Sequence, residues 1–431
     1  MRTKDDVQAL LSRVLSRISA PQAQVEYDFS ASLTTRFAEG AITQNRSGEE
    51  ESLRVIVSFG TRQGSSIINS MDDASLERVA ERAQTIALAA PQDPEFVPPL
   101  GPQSYPVAQP RFDPKVAQAT PAALADHVAG IVKRAKAQGF VPSGLMSASS
   151  GVSALATTLG LFGYDQHSKL SLSTTMHGAH GSGYAAGASW RAEDIAPEEI
   201  AGRAAATAHA AQNPRALEPG DYTVILEPLA VAELLLFTAM SLGAREGEEG
   251  STVFAGTLGT EFFSSRFTLT TEIDDPRLPA PPFSDDGLPS RRIVWVEDGV
   301  VRRLHHTRYW AHVKNESPDP SLFPLCIGGD DRSVEDLVGS CHRGLLVKRL
   351  WYIRYVDRKE LLLTGMTRDG LFLIENGVVT GPVKNLRFNE SPVTLFKNIV
   401  GLSRPEYVNG SMRVPAVMSE GFTFSSVTES V

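Results

Sequence analysis

Nine histidines and two cysteines carry most of the metal and acid–base chemistry open to this chain, and their spacing limits what they can do. His177-Gly178-Ala179-His180 follows a strand-like stretch. Residues three apart on a strand face opposite ways, and two histidines fall short of the three or four convergent ligands that zinc requires. The surrounding Gly178, Gly181, Gly183 and Gly187 suit a turn and lack the strand–GxGxxG–helix setting of a dinucleotide site. His305, His306, His312, Cys341 and His342 form the other local concentration of metal-competent groups, which Asp285 or Asp286 could join. A metal-dependent hydrolase using ligands from this set is one reading the residues leave open, although adjacent His305 and His306 would project to opposite faces of a strand.

Carboxylate pairs are equally ambiguous. Asp274-Asp275, Asp285-Asp286 and Asp330-Asp331 all stand near proline or glycine, where turn formation competes with acid–base work. No GxSxG occurs in a strand-to-helix setting, so a serine nucleophile has no recognisable elbow. In Thr364-Gly365-Met366-Thr367-Arg368-Asp369-Gly370, Arg368 has the chemistry to clamp a carboxylate or brace a loop.

The elements that must position these groups follow from patterning. Val7, Leu10, Leu11, Val14 and Ile18 recur at helical spacing, and Val25, Tyr27 and Phe29 alternate as in a half-buried strand. Leu53, Val55, Val57 and Phe59 predict a second strand after a turn containing Gly48, and Leu76, Val79, Ala83 and Ile86 a second helix. Eight prolines between Pro91 and Pro114 predict an extended connector. Beyond it come a helix from Pro121, strands over Ser147–Thr158 and Lys169–Met176, and a helix over Pro197–Gln212. We therefore divide the chain into an N-terminal α/β unit (1–90), the connector (91–114), a middle strand and helix segment (115–218) and a C-terminal β-rich domain (219–431). The predicted fold class is α+β, an N-terminal helix/strand unit followed by an antiparallel β-rich domain.

In the last segment, Tyr222–Leu226 reads as a strand and Pro228 opens a helix that Gly243 ends. Leu229, Val231, Leu234, Leu235, Leu236, Phe237, Met240 and Leu242 surround that helix with apolar side chains, which predicts burial on all sides. Glu297-Asp298-Gly299 and Glu375-Asn376-Gly377 read as tight hairpin turns.

The composition, 42% hydrophobic and 21% charged with a net charge of −9, is that of a globular protein and argues against a nucleic-acid surface or attraction to anionic lipid. The chain shows neither a secretory core near Met1 nor an apolar run of membrane-spanning length, and Cys326 and Cys341 are too few for a disulfide scaffold. A cytoplasmic location is expected.

The order Gly220-Asp221-Tyr222-Thr223-Val224-Ile225-Leu226-Glu227-Pro228, Phe254-Ala255-Gly256-Thr257-Leu258-Gly259, Asp274-Asp275-Pro276, Phe283-Ser284-Asp285-Asp286-Gly287-Leu288-Pro289 and Leu373-Ile374-Glu375-Asn376-Gly377 resembles the TldD/PmbA family of metallopeptidase-related proteins. That resemblance implies a cytoplasmic two-subunit peptidase. Its TldD type carries a zinc-binding HExxxH on the helix after the Tyr222 strand and a cysteine ligand nearer the C-terminus, and its TldE or PmbA type lacks them. In a motif of this kind the histidines hold zinc and the glutamate deprotonates a metal-bound water. Here the six positions are Phe237, Thr238, Ala239, Met240, Ser241 and Leu242, and no cysteine follows Cys341.

The resemblance thus implies a chain with no catalytic residue or metal ligand of its own, its zinc expected in a TldD-type partner and its role the support or presentation of peptide substrates. Peptide recognition by strand addition to a sheet edge would suit this architecture. Asp285, Asp286 and Gly287 match a family loop and, with Arg368, are the candidate peptide or partner contacts. A homodimeric peptide-binding or structural protein is the other alternative. The stretch from Cys341 to Tyr355 departs from the family's glycine-rich pattern, placing Trp351, Tyr352 and Tyr355 in a core or an interface.

Overall fold

The computed structural model describes residues 1–106 and 109–428, so two residues of the proline-rich connector and the last three of the C-terminal domain lie outside it. The fold is α+β. Its N-terminal half runs α1 (Lys4–Leu15), β1 (Gln22–Ala38), β2 (Ala41–Phe59), β3 (Arg62–Ile68), α2 (Asp73–Ala89), α3 (Pro114–Ala117), α4 (Pro121–Ala137), β4 (Val141–Thr157), β5 (Phe162–His177), β6 (Ser182–Ser189) and α5 (Pro197–Ala210). Capping marks the starts: Thr3 and Asp6 form a capping box, and Asp72 and Thr120 accept from backbone N–H groups at the starts of α2 and α4.

The strands on both sides of the connector share one antiparallel six-stranded sheet in the order β3-β2-β1-β4-β5-β6. β1 pairs along nearly its whole length with β4, from Gln24 opposite Thr157 to Phe37 opposite Gly144. Val25, Tyr27, Val55, Val57, Val152 and Ala154 pack under α1 and α2, and Met146, Leu170 and Leu172 under α4 and α5. The strands are far longer than the apolar alternation predicts, because their polar outer stretches are held by inter-strand hydrogen bonds rather than burial. Gly48, expected in a turn, lies inside β2 opposite Ser32.

The second half runs β7 (Gly220–Leu226), α6 (Pro228–Met240), α7 (Ala244–Glu248), β8 (Leu269–Thr271), β9 (Ile293–Glu297), β10 (Val300–Val301), α8 (Arg308–Lys314), β11 (Leu325–Ile327), α9 (Val334–Ser340), β12 (Arg343–Val347), β13 (Leu350–Asp357), β14 (Leu362–Thr367), β15 (Leu371–Glu375), β16 (Val378–Pro382), β17 (Leu386–Glu390), α10 (Pro392–Lys397), β18 (Ile399–Leu402), β19 (Glu406–Val408), β20 (Met412–Val414) and β21 (Val417–Val427). A nine-stranded sheet follows the path β13-β14-β17-β21-β7-β12-β15-β16 with β18 beside β21, and a six-stranded sheet follows β10-β9-β8-β11-β20-β19. Pairing is antiparallel except for β7 with β12 and β11 with β20. Asp298 with Gly299, and Asn376 with Gly377, have the consecutive positive φ values that a two-residue hairpin requires.

Helix α6 lies in the core of this half, with Val231, Leu234, Leu235 and Ala239 among Leu345, Phe396 and Phe422. It is not buried all round. Leu229, Glu233, Leu236, Phe237 and Met240, spaced along one helical face, are half-buried or exposed, and Met240 reaches 63% exposure. Gly243 also differs from expectation: it caps the N-terminus of α7, and Ser241 caps the end of α6. No helix among the described residues is long and apolar enough to cross a membrane.

Candidate functional site

The site grows from the face of α6 that the core leaves uncovered and from β13, a sheet-edge strand that lies beside it. At the vacated motif, Thr238 is buried and its Oγ1 donates to the Leu234 carbonyl at 3.2 Å, while Leu242 is fully buried. Phe237 meets the Tyr355 ring edge-on at 5.1 Å between centroids. Core side chains and an aromatic contact therefore occupy the motif positions. None of the three offers a nitrogen, thiolate or carboxylate, so this donor set does not fit zinc.

Near the N-terminal end of α6, charge replaces apolar contact. The Leu350 N–H donates to Glu233 Oε2 at 2.9 Å, and Arg349 Nε lies 3.9 Å from Glu233 Oε1. Burial pushes the Glu233 carboxyl up to about 8, against the opposing pull of Arg349 and the Leu350 hydrogen bond. Arg349 also donates to Asp369 Oδ2 at 2.7 Å, and its guanidinium lies 3.8 Å from the Tyr184 ring centroid and 4.6 Å from that of Trp351. Ser182 in β6 donates to the other Asp369 oxygen at 2.7 Å, so this network joins the two halves of the molecule. One step further along, Lys348 pairs with Glu227, whose carboxyl burial raises.

At the opposite end of α6 a concave space of about 590 Å³ is lined by Met240, Arg245, His305, Trp310, Tyr355 and Arg358, among others. His305 is held there through its backbone, its N–H donating to the Leu242 carbonyl at 2.7 Å and its carbonyl accepting from Ala244 at 2.9 Å. Burial lowers its imidazole pKa, favouring the neutral ring.

Of the five residues of the alternative metal set, His305 alone lines this space. His306 Nδ1 lies 2.9 Å from the Leu304 carbonyl, and His312 is exposed on α8. Cys341 is buried at the end of α9, and the exposed His342 uses its backbone carbonyl to accept from Asn376. Among the described residues no three His, Cys, Asp or Glu side chains form a group able to hold a metal ion.

The Asp285-Asp286-Gly287 loop lies elsewhere, against the N-terminal sheet. Ser284 Oγ donates to Asp286 at 2.5 Å, Arg308 Nε stands 3.8 Å from Asp286, and Tyr105 donates to the Gly287 carbonyl at 3.1 Å. Gly287 has φ +89, and a Cβ there would meet Leu155 at 3.0 Å, so glycine suits both the turn and the docking. Arg368 does reach the α6–β13 region, its guanidinium 5.0 Å from the Trp351 ring centroid.

Glu233, Arg349, Arg354 and Arg358 are the site residues that sequence reading missed. The lone carboxylate in an otherwise apolar helix was the available signal for Glu233. In the aromatic stretch ending at Tyr355, Arg354 stacks 4.4 Å from the Tyr352 centroid, and Arg358, three residues beyond it, 4.6 Å from that of Tyr355.

Family models match this chain twice, the PmbA/TldA metallopeptidase C-terminal domain over residues 219–426 and PmbA/TldA metallopeptidase domain 1 over residues 23–87. No curated protein sequence gives a match. The fold is similar to the crystal structure of TldE from Thermococcus kodakarensis, with TM-score 0.87, 18% identity and coverage of 97% of this chain and 99% of that one. A protein from Thermotoga maritima, described as a candidate modulator of a DNA gyrase, gives TM-score 0.87 and 17% identity, covering 97% of this chain and 100% of its own. One from Bacteroides thetaiotaomicron with a similar description gives 0.87 and 19%, covering 99% and 100%. The fold and these matches define a metallopeptidase-related protein. The chain belongs to the PmbA/TldD family.

Proposed function

We propose that this chain is a non-catalytic, TldE/PmbA-type subunit of a cytoplasmic heteromeric zinc peptidase, supporting or presenting peptide substrates to an HExxxH-bearing TldD-type partner. The observation that carries the reading is the occupancy of the motif positions: Thr238 and Leu242 are core residues and Phe237 packs edge-on against Tyr355. The two free, buried thiols Cys326 and Cys341 support a reducing compartment. In this reading the Asp285–Gly287 loop serves the peptide function indirectly, by fixing the C-terminal half to the N-terminal sheet, and Arg368 serves it through Trp351.

The test is co-purification with a TldD-type homologue, zinc analysis of each chain, and a peptide-cleavage assay. Expected are zinc in the homologue only and cleavage only with both chains present. Cleavage by this chain alone that disappears on chelation would overturn the reading. Failure to associate with such a homologue, with self-association in its place, would favour the homodimeric alternative.

A further inference from the structure

β13 ends the nine-stranded sheet, with β14 its one strand partner among the described residues. Along it Trp351, Tyr352 and Val356 are 40%, 59% and 56% exposed, beside the exposed Leu236 and Met240 of α6. An edge guarded simply against aggregation carries charge, proline or a bulge and hides its apolar side chains. This edge has register shifts between Trp351 and Arg354 and between Tyr355 and Asp357, yet it presents large aromatic and aliphatic groups to solvent. Tyr352 additionally holds φ +56, a conformation bulky side chains rarely adopt and one that concentrates at functional surfaces.

Charge identifies the occupant. Arg354 and Arg358 lie over the faces of Tyr352 and Tyr355, and neither has a carboxylate within ion-pair distance among the described residues. Stacking engages the plane of a guanidinium and leaves its N–H edges for bidentate contact with a carboxylate; at Arg354, Nη1 also donates to the Ile353 carbonyl at 3.0 Å, so the contact there falls to the other N–H groups of the fork. Over residues 354–360 three cations, Arg354, Arg358 and Lys359, stand against two carboxylates, Asp357 and Glu360, and Asp357 Oδ1 is engaged by the Lys359 and Glu360 N–H groups, so the local balance is positive in a protein whose net charge is −9. The thirteen residues of α6 run about 18 Å, enough to accompany roughly five to six residues of extended chain.

We propose that the β13 edge and the uncovered stripe of α6 bind an extended acidic peptide segment, with carboxylates on Arg354 and Arg358 and intervening apolar side chains against Tyr352, Leu236 and Met240. This rests on the peptide-presenting reading and adds to it a substrate class.

The test uses the full chain and two fluorescein-labelled peptides of roughly ten residues, long enough to overrun this edge. One alternates Glu with Val, and the other alternates Lys with Val. Anisotropy titrations at low and high salt should show the acidic peptide binding at least about tenfold more tightly than the basic one, weakening as salt rises. R354E/R358E, checked by an unchanged thermal melt, should reverse that preference, and R354K/R358K should retain part of it because charge remains without the bidentate fork. Equal binding of both peptides, or an acidic preference untouched by R354E/R358E, overturns the acidic class and leaves peptide presentation standing. If neither peptide binds while a TldD-type homologue is captured and R354E/R358E abolishes capture, the patch is a subunit interface; the inference falls and the subunit reading survives. Absence of both kinds of binding overturns the two together.

Discussion

Glu233 shows how one side chain acquires properties that its sequence neighbours do not confer. Its carboxyl sits against the Leu350 N–H and near Arg349, with burial raising its pKa to about 8, well above the ordinary carboxylate value. The folded protein therefore holds a proton that the unfolded chain releases above roughly pH 4.5, and stability from this group is lost as pH rises from there through about 8. Glu233→Gln should flatten that dependence, narrowing the stability difference between pH 6 and pH 8 by on the order of 1–2 kcal/mol in urea titrations. An unchanged slope would assign the pH dependence to other groups. Asp319 makes the complementary case. Its fully buried carboxylate accepts from Arg291 at 2.6 Å, from Arg303 at 2.7 and 2.9 Å, and from the His306 N–H at 3.0 Å. Asp319→Ala strands these donors and should cost about 3–5 kcal/mol, measurable by chemical denaturation.

At the scale of elements, α6 carries the functional argument. Its apolar circumference predicts complete burial, but packing against the sheet covers only part of it, and the remaining stripe faces outward beside β13. Restoring the motif as F237H/T238E/L242H should not create a zinc enzyme. Leu242 and Thr238 are enclosed by core, so an imidazole and a carboxylate placed there would be desolvated before any metal could bind. The variant should lose about 3 kcal/mol or more of stability and show no stoichiometric zinc, read by urea melts and metal analysis. Tight zinc binding without destabilisation would mean that the helix has more freedom than its packing indicates. The long strands teach a related lesson. Their apolar ends are legible from alternation, as in Val25–Phe29 or Leu53–Phe59, whereas the polar spans through Thr34 and Gly48 are strand because β1, β2 and β4 hold one another in register.

Across the whole molecule, the connector and the Phe283 loop bind the two halves. Arg111 in the connector pairs with Asp165 and donates to the Pro279 carbonyl at 3.2 Å, and Asp113 accepts from the Ala192 N–H at 2.8 Å. Phe283 packs with Leu155, Leu161 and Tyr105 in a small cluster between the N-terminal sheet and the second half. Phe283→Ala should remove roughly 2–4 kcal/mol of packing and speed proteolysis in the 91–114 connector. Cleavage at the unaltered rate would show that the polar contacts suffice to hold the halves together.

The Asp298-Gly299 and Asn376-Gly377 turns, the helix starts at Pro121, Pro197 and Pro228 and the absence of ligands at Phe237, Thr238 and Leu242 are determined by sequence alone, because turn geometry, helix initiation and metal coordination depend on residue type at fixed short spacing. Tertiary structure decided the rest. It joined strands on both sides of the connector into one sheet, turned the Asp285–Gly287 loop into a clasp, separated His305 from Cys341, and set Arg349, Arg354 and Arg358 on their aromatic partners. Those outcomes depend on groups far apart in the chain, and which ones meet is settled by the packing of whole elements rather than by local residue preference.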